Sequence, residues 1–211
     1  MMKGLYGKIR AKIYTPRLMV QKMRAARHFK KYADTGEDFV CSQTSDCLAD
    51  RPGLITIGNH CEIHGKLISM ADGRIEIGGD SCIYRDAVIG SVESIRIGRY
   101  AAISNHVHIY DNNNHPTDPE TRKKMTVEGF HTPAWRWENS EHAPIVIGDN
   151  VWIGEYSAIL KGVTIGEGSI IASHSVVTRD VPPYTIAACN PARIVKHLEA
   201  KCKSLSSSIT I

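Results

Sequence analysis

Several things are missing from this sequence, and each absence narrows the field. No apolar run approaches the roughly twenty residues needed to span a bilayer, and no apolar core of a secretory leader follows Met1. Both absences point to the cytosol. Cys41, Cys47, Cys61, Cys82, Cys189 and Cys202 form no Cys-x-x-Cys pair and no zinc-ribbon spacing. Reduced thiols are therefore expected, not a disulfide framework. Acidic residues are missing from the first 31 positions, which hold ten Lys or Arg. The remainder carries sixteen bases against 22 acids, so the net charge of +4 conceals a basic head on an acidic body. No recognisable binding module accompanies the basic charge, which argues against nucleic acid as a partner.

Within the basic head, Leu5, Ile9 and Ile13 recur every four residues and draw an apolar stripe that ends at Pro16. A second helical stretch is expected from Leu18 to about Tyr32. Residues 1–50 are thus read as a basic helical segment. Such a helix suits peripheral contact, through residues 1–31, with an anionic membrane surface, or packing on the main domain or on another copy.

What is present is a repeat. From Ile147 an aliphatic residue falls at every sixth position: Ile147, Ile153, Ile159, Ile165, Ile171 and Val177. Four residues after each comes a small or β-branched side chain: Val151, Ser157, Val163, Ser169, Ser175 and Val181. Upstream, Ile57, Ile77 and Ile97 each precede Gly and stand twenty residues apart, with Ile63, Ile83 and Ile103 six further on. Neither an α-helix nor an alternating strand has this period. It predicts an all-β solenoid, a parallel β-helix over residues 51–181 with three hexads per coil and two extra corner residues in the early coils. One coil buries too few aliphatic side chains to offset the entropy of ordering it, so coils must stack. Between Ile109 and Ile147 the period stops, and residues 111–143 read as a long excursion of Asn, Asp, Pro and His. Long loops of this kind are usually functional. Residues 182–211 are expected to form a turn, a short helix and a frayed tail.

The run from Ile145 through Asp149-Asn-Val-Trp152-Ile-Gly to Ser175-Val-Val-Thr-Arg179-Asp-Val-Pro-Pro, and on to Asn190-Pro-Ala-Arg193, resembles the hexapeptide-repeat acyltransferases. It is similar in particular to their galactoside and maltose O-acetyltransferase and xenobiotic acetyltransferase branch. The resemblance covers roughly residues 51–196. It implies a left-handed coil, a homotrimer with sites between subunits, acetyl-CoA as cosubstrate and no metal.

It also implies site residues. The segment Ile109-Tyr-Asp-Asn-Asn-Asn-His115-Pro116 resembles the one in which the family's His before Pro is the catalytic base, so His115 is the candidate base. The chemistry suits it: a thioester is already activated, and what an acceptor hydroxyl lacks is a group to take its proton near neutral pH. Asp111 and Asn112, nearby in sequence, are candidates to orient the base or bind substrate. Trp152 would line the thioester end of the coenzyme groove and Ser173 would meet the pantetheine arm. Thr178, Arg179, Arg193 and Lys196 match the family's phosphate-end positions, with Arg at 179 where the family has Lys. Cys189 stands where the family has Gly. Asp86 aligns with a substrate-binding Asn of sugar acetyltransferases, and Phe130, Trp135 and Trp137 offer faces to a sugar ring. His131 and His142 are further loop candidates.

The implied activity is acetyl transfer to a saccharide hydroxyl, as in the synthesis of surface polysaccharide. Rivals are N-acetylation of a nucleotide-linked amino sugar and acetylation of an antibiotic hydroxyl. A reading of a different class is a zinc lyase like the γ-type carbonic anhydrases, for which His60, His64, His106 and His108 would have to supply three converging ligands. A purely structural solenoid would leave the excursion without a purpose.

Overall fold

The computed structural model describes residues 16–130 and 132–199. The stripe of Leu5, Ile9 and Ile13, together with His131 and the tail from residue 200, lies outside them.

Helix α1 (Pro16–Tyr32) opens the described chain, with Pro at the first helical position where its missing N–H costs nothing. Six three-strand coils follow, β1 (Ala33–Thr35) to β18 (Val176–Val177), then β19 (Thr185–Ala188) and β20 (Arg193–His197). Every third strand belongs to one sheet, which makes a three-sided prism. Sheet A runs β1-β4-β7-β10-β13-β16, sheet B β2-β5-β8-β11-β14-β17-β19-β20, and sheet C β3-β6-β9-β12-β15-β18. All ladders are parallel except β19 with β20. The coil therefore begins at Ala33, ahead of the expected start at residue 51, because Ala33, Cys41 and Cys47 already turn inward and pair in register with the coil above.

Register explains the two frame lengths. Ile55 pairs with Ile75 and Ile75 with Ile95, twenty residues apart, whereas Trp152 pairs with Ile170, eighteen apart. Between Ile83 and Ile89 the step is six, and between Ile89 and Ile97 it is eight. The extra residues thus sit at the corner between sheets C and A. That is also the corner where the chain leaves after β12 (His108–Tyr110) and re-enters at β13 (Ile145–Ile147).

The predicted hexad residues form the interior: Ile147, Ile153, Ile159, Ile165, Ile171 and Val177 are all at most 1% exposed. Their partners Val151, Ser157, Val163, Ser169, Ser175 and Val181 are buried beside them. Ser157 and Ser169 are satisfied where the coil turns, Ser157 Oγ donating to the Ala172 carbonyl at 3.0 Å and Ser169 Oγ to the Pro182 carbonyl at 2.7 Å. The Cys47 thiol, enclosed in the first coil, is pushed up to about 12 by burial and by Asp46, so it stays protonated and inert.

Both ends need covers, since a bare coil exposes strand edges and core. At one end α1 lays Phe29, with no exposed surface, against Phe39 and the first coil. His28 Nε2 lies 2.9 Å from Asp46 Oδ1 and ties the helix to β3 (Asp46–Ala49). At the other end β20 stands where a short helix was expected. Ile194 and Val195 are β-branched, and the free edge of β19 offers backbone partners that a helix would leave unused. Replacing Phe29 by Ala should cost about 3–5 kcal/mol of stability, read by chemical denaturation. A loss below about 1 kcal/mol would mean that α1 does not close the core.

Candidate functional site

Two groups of side chains stand out from the regular coil. The first lies on the outer face of sheet B. Trp152 in β14 (Trp152–Ile153) is half exposed and pairs with Ile170, which pairs with Ile186, which pairs with Lys196. Paired residues share a face, so an indole, two isoleucines and an ammonium form one outward column. With strands about 4.8 Å apart, Lys196 lies roughly 14 Å from Trp152. Arg193 pairs with Ala188 on the same sheet and is exposed. Ser173 caps the next corner, packed so close to Gly154 that a Cβ there would meet Ser173 Oγ at 2.8 Å. Thr178 and Arg179 follow β18 of sheet C and stand exposed at the corner with sheet A, apart from this column.

Below Trp152 is a shallow cavity of about 370 Å³ lined by Tyr84, Ala102, Ser104, Asn105, Trp152 and Glu155. Trp152 Nε1 donates to Ser104 Oγ at 3.2 Å, and Asn105 Nδ2 donates to Glu155 Oε1 at 2.6 Å. Asp86 is at the same B–C corner, exposed, with a left-handed backbone and His106 Nε2 at 4.0 Å. His106, Tyr156 and His174 continue that corner as a parallel stack of rings 4.7 and 5.0 Å apart. Tyr84, Ser104, Asn105 and Glu155 were not singled out from sequence. Their signal is positional: each falls at the start of a B–C corner in its coil frame.

The second group is the excursion, which is more ordered than its composition suggests. Asp118 caps helix α2 (Pro119–Glu128), accepting from Thr121 N at 2.8 Å, and short 3-10 turns follow at Pro133–Trp135 and Trp137–Asn139. The Asp-Pro start and Gly129 stop were legible helix signals. Trp137 stands edge-on to Tyr110, and both crowd Gly90, where a Cβ would come within 2.5 Å of the Tyr110 ring. Trp135 Nε1 donates to the carbonyls of Met125 and Gly129 at 3.1 and 2.9 Å. Its ring meets the exposed His115 edge-on, with centroids 5.3 Å apart. Phe130 also tilts against this indole, with ring centroids 5.1 Å apart. Trp135 and Trp137 are therefore engaged in holding the excursion.

Asp111 is held differently from an acceptor-binding residue. It has no exposed surface, and its carboxylate accepts from Ser91 Oγ (2.7 Å), the Val92 and Glu93 amides (both 2.9 Å) and Asn112 Nδ2 (3.1 Å). Four donors fill the acceptor sites of a carboxylate. Asn112, 5% exposed, accepts the Asn114 amide and bridges to His142, whose Nδ1 is 2.7 Å from Glu93 Oε2. These residues form the neck of the excursion, and Asp111 and Asn112 are buried within it.

The four histidines considered for a metal are dispersed. His60 is at an A–B corner beside Asp38, His64 beside Glu62, His106 in the ring stack and His108 on sheet C. Among the described residues no three or more His, Cys, Asp or Glu gather as a ligand set.

Comparison with known proteins places this geometry. The model of bacterial transferase hexapeptides (six repeats) matches residues 144–179. A Staphylococcus aureus protein bearing an acetyltransferase name is 49% identical over 61 residues, which are 29% of this chain, and the match spans only 31% of that relative's length. The galactoside O-acetyltransferase of Escherichia coli is 30% identical over 148 residues, covering 70% of this chain and 66% of the enzyme. Among solved structures, a single-residue mutant of the N-acyltransferase AntD of Bacillus cereus, in complex with dTDP-4-amino-4,6-dideoxyglucose and coenzyme A, superposes with a TM-score of 0.65 at 22% identity, covering 84% of this chain and 90% of that one. A hexapeptide-repeat acetyltransferase of Vibrio cholerae complexed with acetyl-CoA gives 0.55 at 24% identity, covering 88% and 91%. Parallel ladders and these neighbours fit a left-handed β-helix.

Asp111→Asn places an N–H₂ group where the Val92 and Glu93 amides need an acceptor. It should lower stability by about 1–3 kcal/mol and raise hydrogen exchange at residues 111–143. Unchanged exchange there would show that the carboxylate does not hold the neck.

Proposed function

Since the chain belongs to the hexapeptide-repeat transferases, we propose that it transfers an acetyl group from acetyl-CoA to a saccharide hydroxyl, with His115 as the general base. The column Trp152–Ile170–Ile186–Lys196 carries this reading. It is an apolar track with cations at one end, which suits a pantetheine arm followed by phosphates. Arg193 adds a second cation there, and Ser173 stands beside the track. Thr178 and Arg179 reach the donor only from a different corner, so their part in binding its phosphates rests on the family pattern.

In this reading the acceptor oxygen attacks the thioester carbonyl carbon while its proton passes to the His115 imidazole. The tetrahedral oxyanion then collapses, the carbon–sulfur bond breaks, and the coenzyme thiolate recovers a proton from the imidazolium. No covalent enzyme intermediate is needed. The cavity polar groups Ser104, Asn105 and Glu155 would meet the acceptor, together with Asp86 of the same corner. Surface polysaccharide or its precursor is the substrate class proposed.

In this reading the two halves of the site come from different copies of the chain. The excursion's contacts run to Gly90, Glu93 and Asp50, on sheet C and its corner with A, while Trp152 faces outward from sheet B. In a three-sided prism that corner lies opposite sheet B. A homotrimer in which the excursion of one copy crosses to sheet B of the next brings base and donor together.

The outward side of α1 presents Val20, Met23, Arg24, Arg27, Lys30 and Lys31 with no acid in the helix. It suits peripheral contact with the anionic cytoplasmic face of a membrane, where a lipid-linked acceptor would be at hand. No helix of the described residues is long and apolar enough to cross one.

His115→Ala should lower turnover by about 10²–10⁴ with binding of acetyl-CoA retained in calorimetry. Near-normal turnover on a panel of sugars, amino sugars and antibiotic alcohols would remove the base, and transfer only to amines would move the acceptor to the amino-sugar class. Arg193→Ala with Lys196→Ala should raise KM for acetyl-CoA more than it changes kcat; an unchanged KM would displace the groove. Co-assembly of His115→Ala and Trp152→Ala chains should recover activity that neither has alone, and a failure to recover would place the site within one chain.

A further inference from the structure

Glu141 has no place in the chemistry above, yet its contacts converge on the residues that flank His115. The neck pairs residues 111–113 with 141–143: the Ala143 amide donates to the Asp111 carbonyl at 2.8 Å and the Asn113 amide to the Glu141 carbonyl at 3.1 Å. Beyond the neck the chain turns sharply. Asn114 is left-handed at φ 61°, and the His115 amide donates back to the Asn113 carbonyl at 2.7 Å. Turns this tight open readily unless both flanks are held.

The Glu141 side chain holds both. Oε2 accepts from Asn113 Nδ2 at 2.9 Å and Oε1 accepts from Thr117 Oγ1 at 2.5 Å. These partners stand two residues before and two after His115. Arg122 of α2 reinforces the second flank by donating to the Pro116 and Thr117 carbonyls at 3.0 and 2.5 Å. The Thr117 hydroxyl, the residue's own amide and Asn113 hold the Glu141 carboxyl below its ordinary range, so it remains an acceptor for both flanks through neutral and mildly acidic pH.

We infer that Glu141 is a positioning residue, a buckle that closes the turn 113–117 and fixes the exposed His115 imidazole where it meets Trp135. The inference rests on His115 being the base. Its role differs from that of Asp111, which anchors the neck to the coil and does not touch the turn. Glu141 is exposed, so either bond alone contributes little, and the effect comes from tying two flanks to one rigid group.

The test uses the full chain. Glu141→Ala should lower kcat about ten- to a hundredfold, with KM for acetyl-CoA unchanged because the donor track lies on another sheet. In a His115→Ala background the same change should have no further effect, since the residue acts only through the imidazole. Glu141→Gln, whose oxygen can accept from Asn113 while its nitrogen donates to the Thr117 hydroxyl, should restore most of the activity. A fall of equal size in the His115→Ala background, a rise in KM at constant kcat, or full activity of Glu141→Ala would each overturn the proposal. Histidine-selective NMR separates this from failure of the base. If the His115 ring signal broadens or splits in Glu141→Ala while His115→Ala stays active, the buckle stands and only the base falls. A sharp, unshifted signal sinks the buckle.

Discussion

Everything in this molecule depends on stacking of inward aliphatic columns at a fixed step along the prism. A coil of eighteen to twenty-two residues turns only a few side chains inward, too few to offset the conformational entropy of its backbone. The next coil supplies both the missing apolar cover and the hydrogen-bond partners of every strand. The interior is therefore quasi-one-dimensional, and a fault in one column is felt by its immediate neighbours. The requirement also fixes the ends: Phe29 on α1 covers the first coil, and β20 lines the edge of β19.

A regular prism has no reason to bind anything, so specificity comes from departures at the corners. The C–A corner tolerates extra length because it lies outside the three inward columns; two to four residues are added in the first three coils and the whole excursion in the fourth. An insertion there costs little so long as its neck is sealed. Asp111 seals it by satisfying the Val92 and Glu93 amides of the coil below, which would otherwise face a buried gap. On the opposite face, outward strand positions are free of core duties, and Trp152, Ile170, Ile186 and Lys196 occupy one column there.

Much of the fold was legible in single residues. The hexad isoleucines and their small partners all face inward as their spacing requires, and the frame-length change locates the lengthened corner. Asp111 was harder to read, yet it carried a signal: Ile109 is inward, so the residue two positions on shares its side. Its closeness to His115 in the chain suggested an outward role that strand alternation contradicts. The C-terminal strand was misread because Arg193–His197 has no strong period of its own and takes its conformation from the edge it covers. Glu141 carried no sequence signal at all, since its partners lie 28 and 24 residues away across a neck that exists only once the chain is folded.

The sequence by itself determined the solenoid, its frame and the position of the excursion. Those follow from local spacing, because in a stacked coil the distance along the chain fixes which residues turn inward. Only the tertiary structure decided which polar residues serve the architecture and which remain available for chemistry. It set Asp111 and Asn112 inside the neck, gathered Trp152 and Lys196 on one face, and left His115 on the far corner. Such assignments depend on contacts between segments remote in sequence, where hydrogen-bond partners and burial are settled by the packing of coils and not by the order of residues.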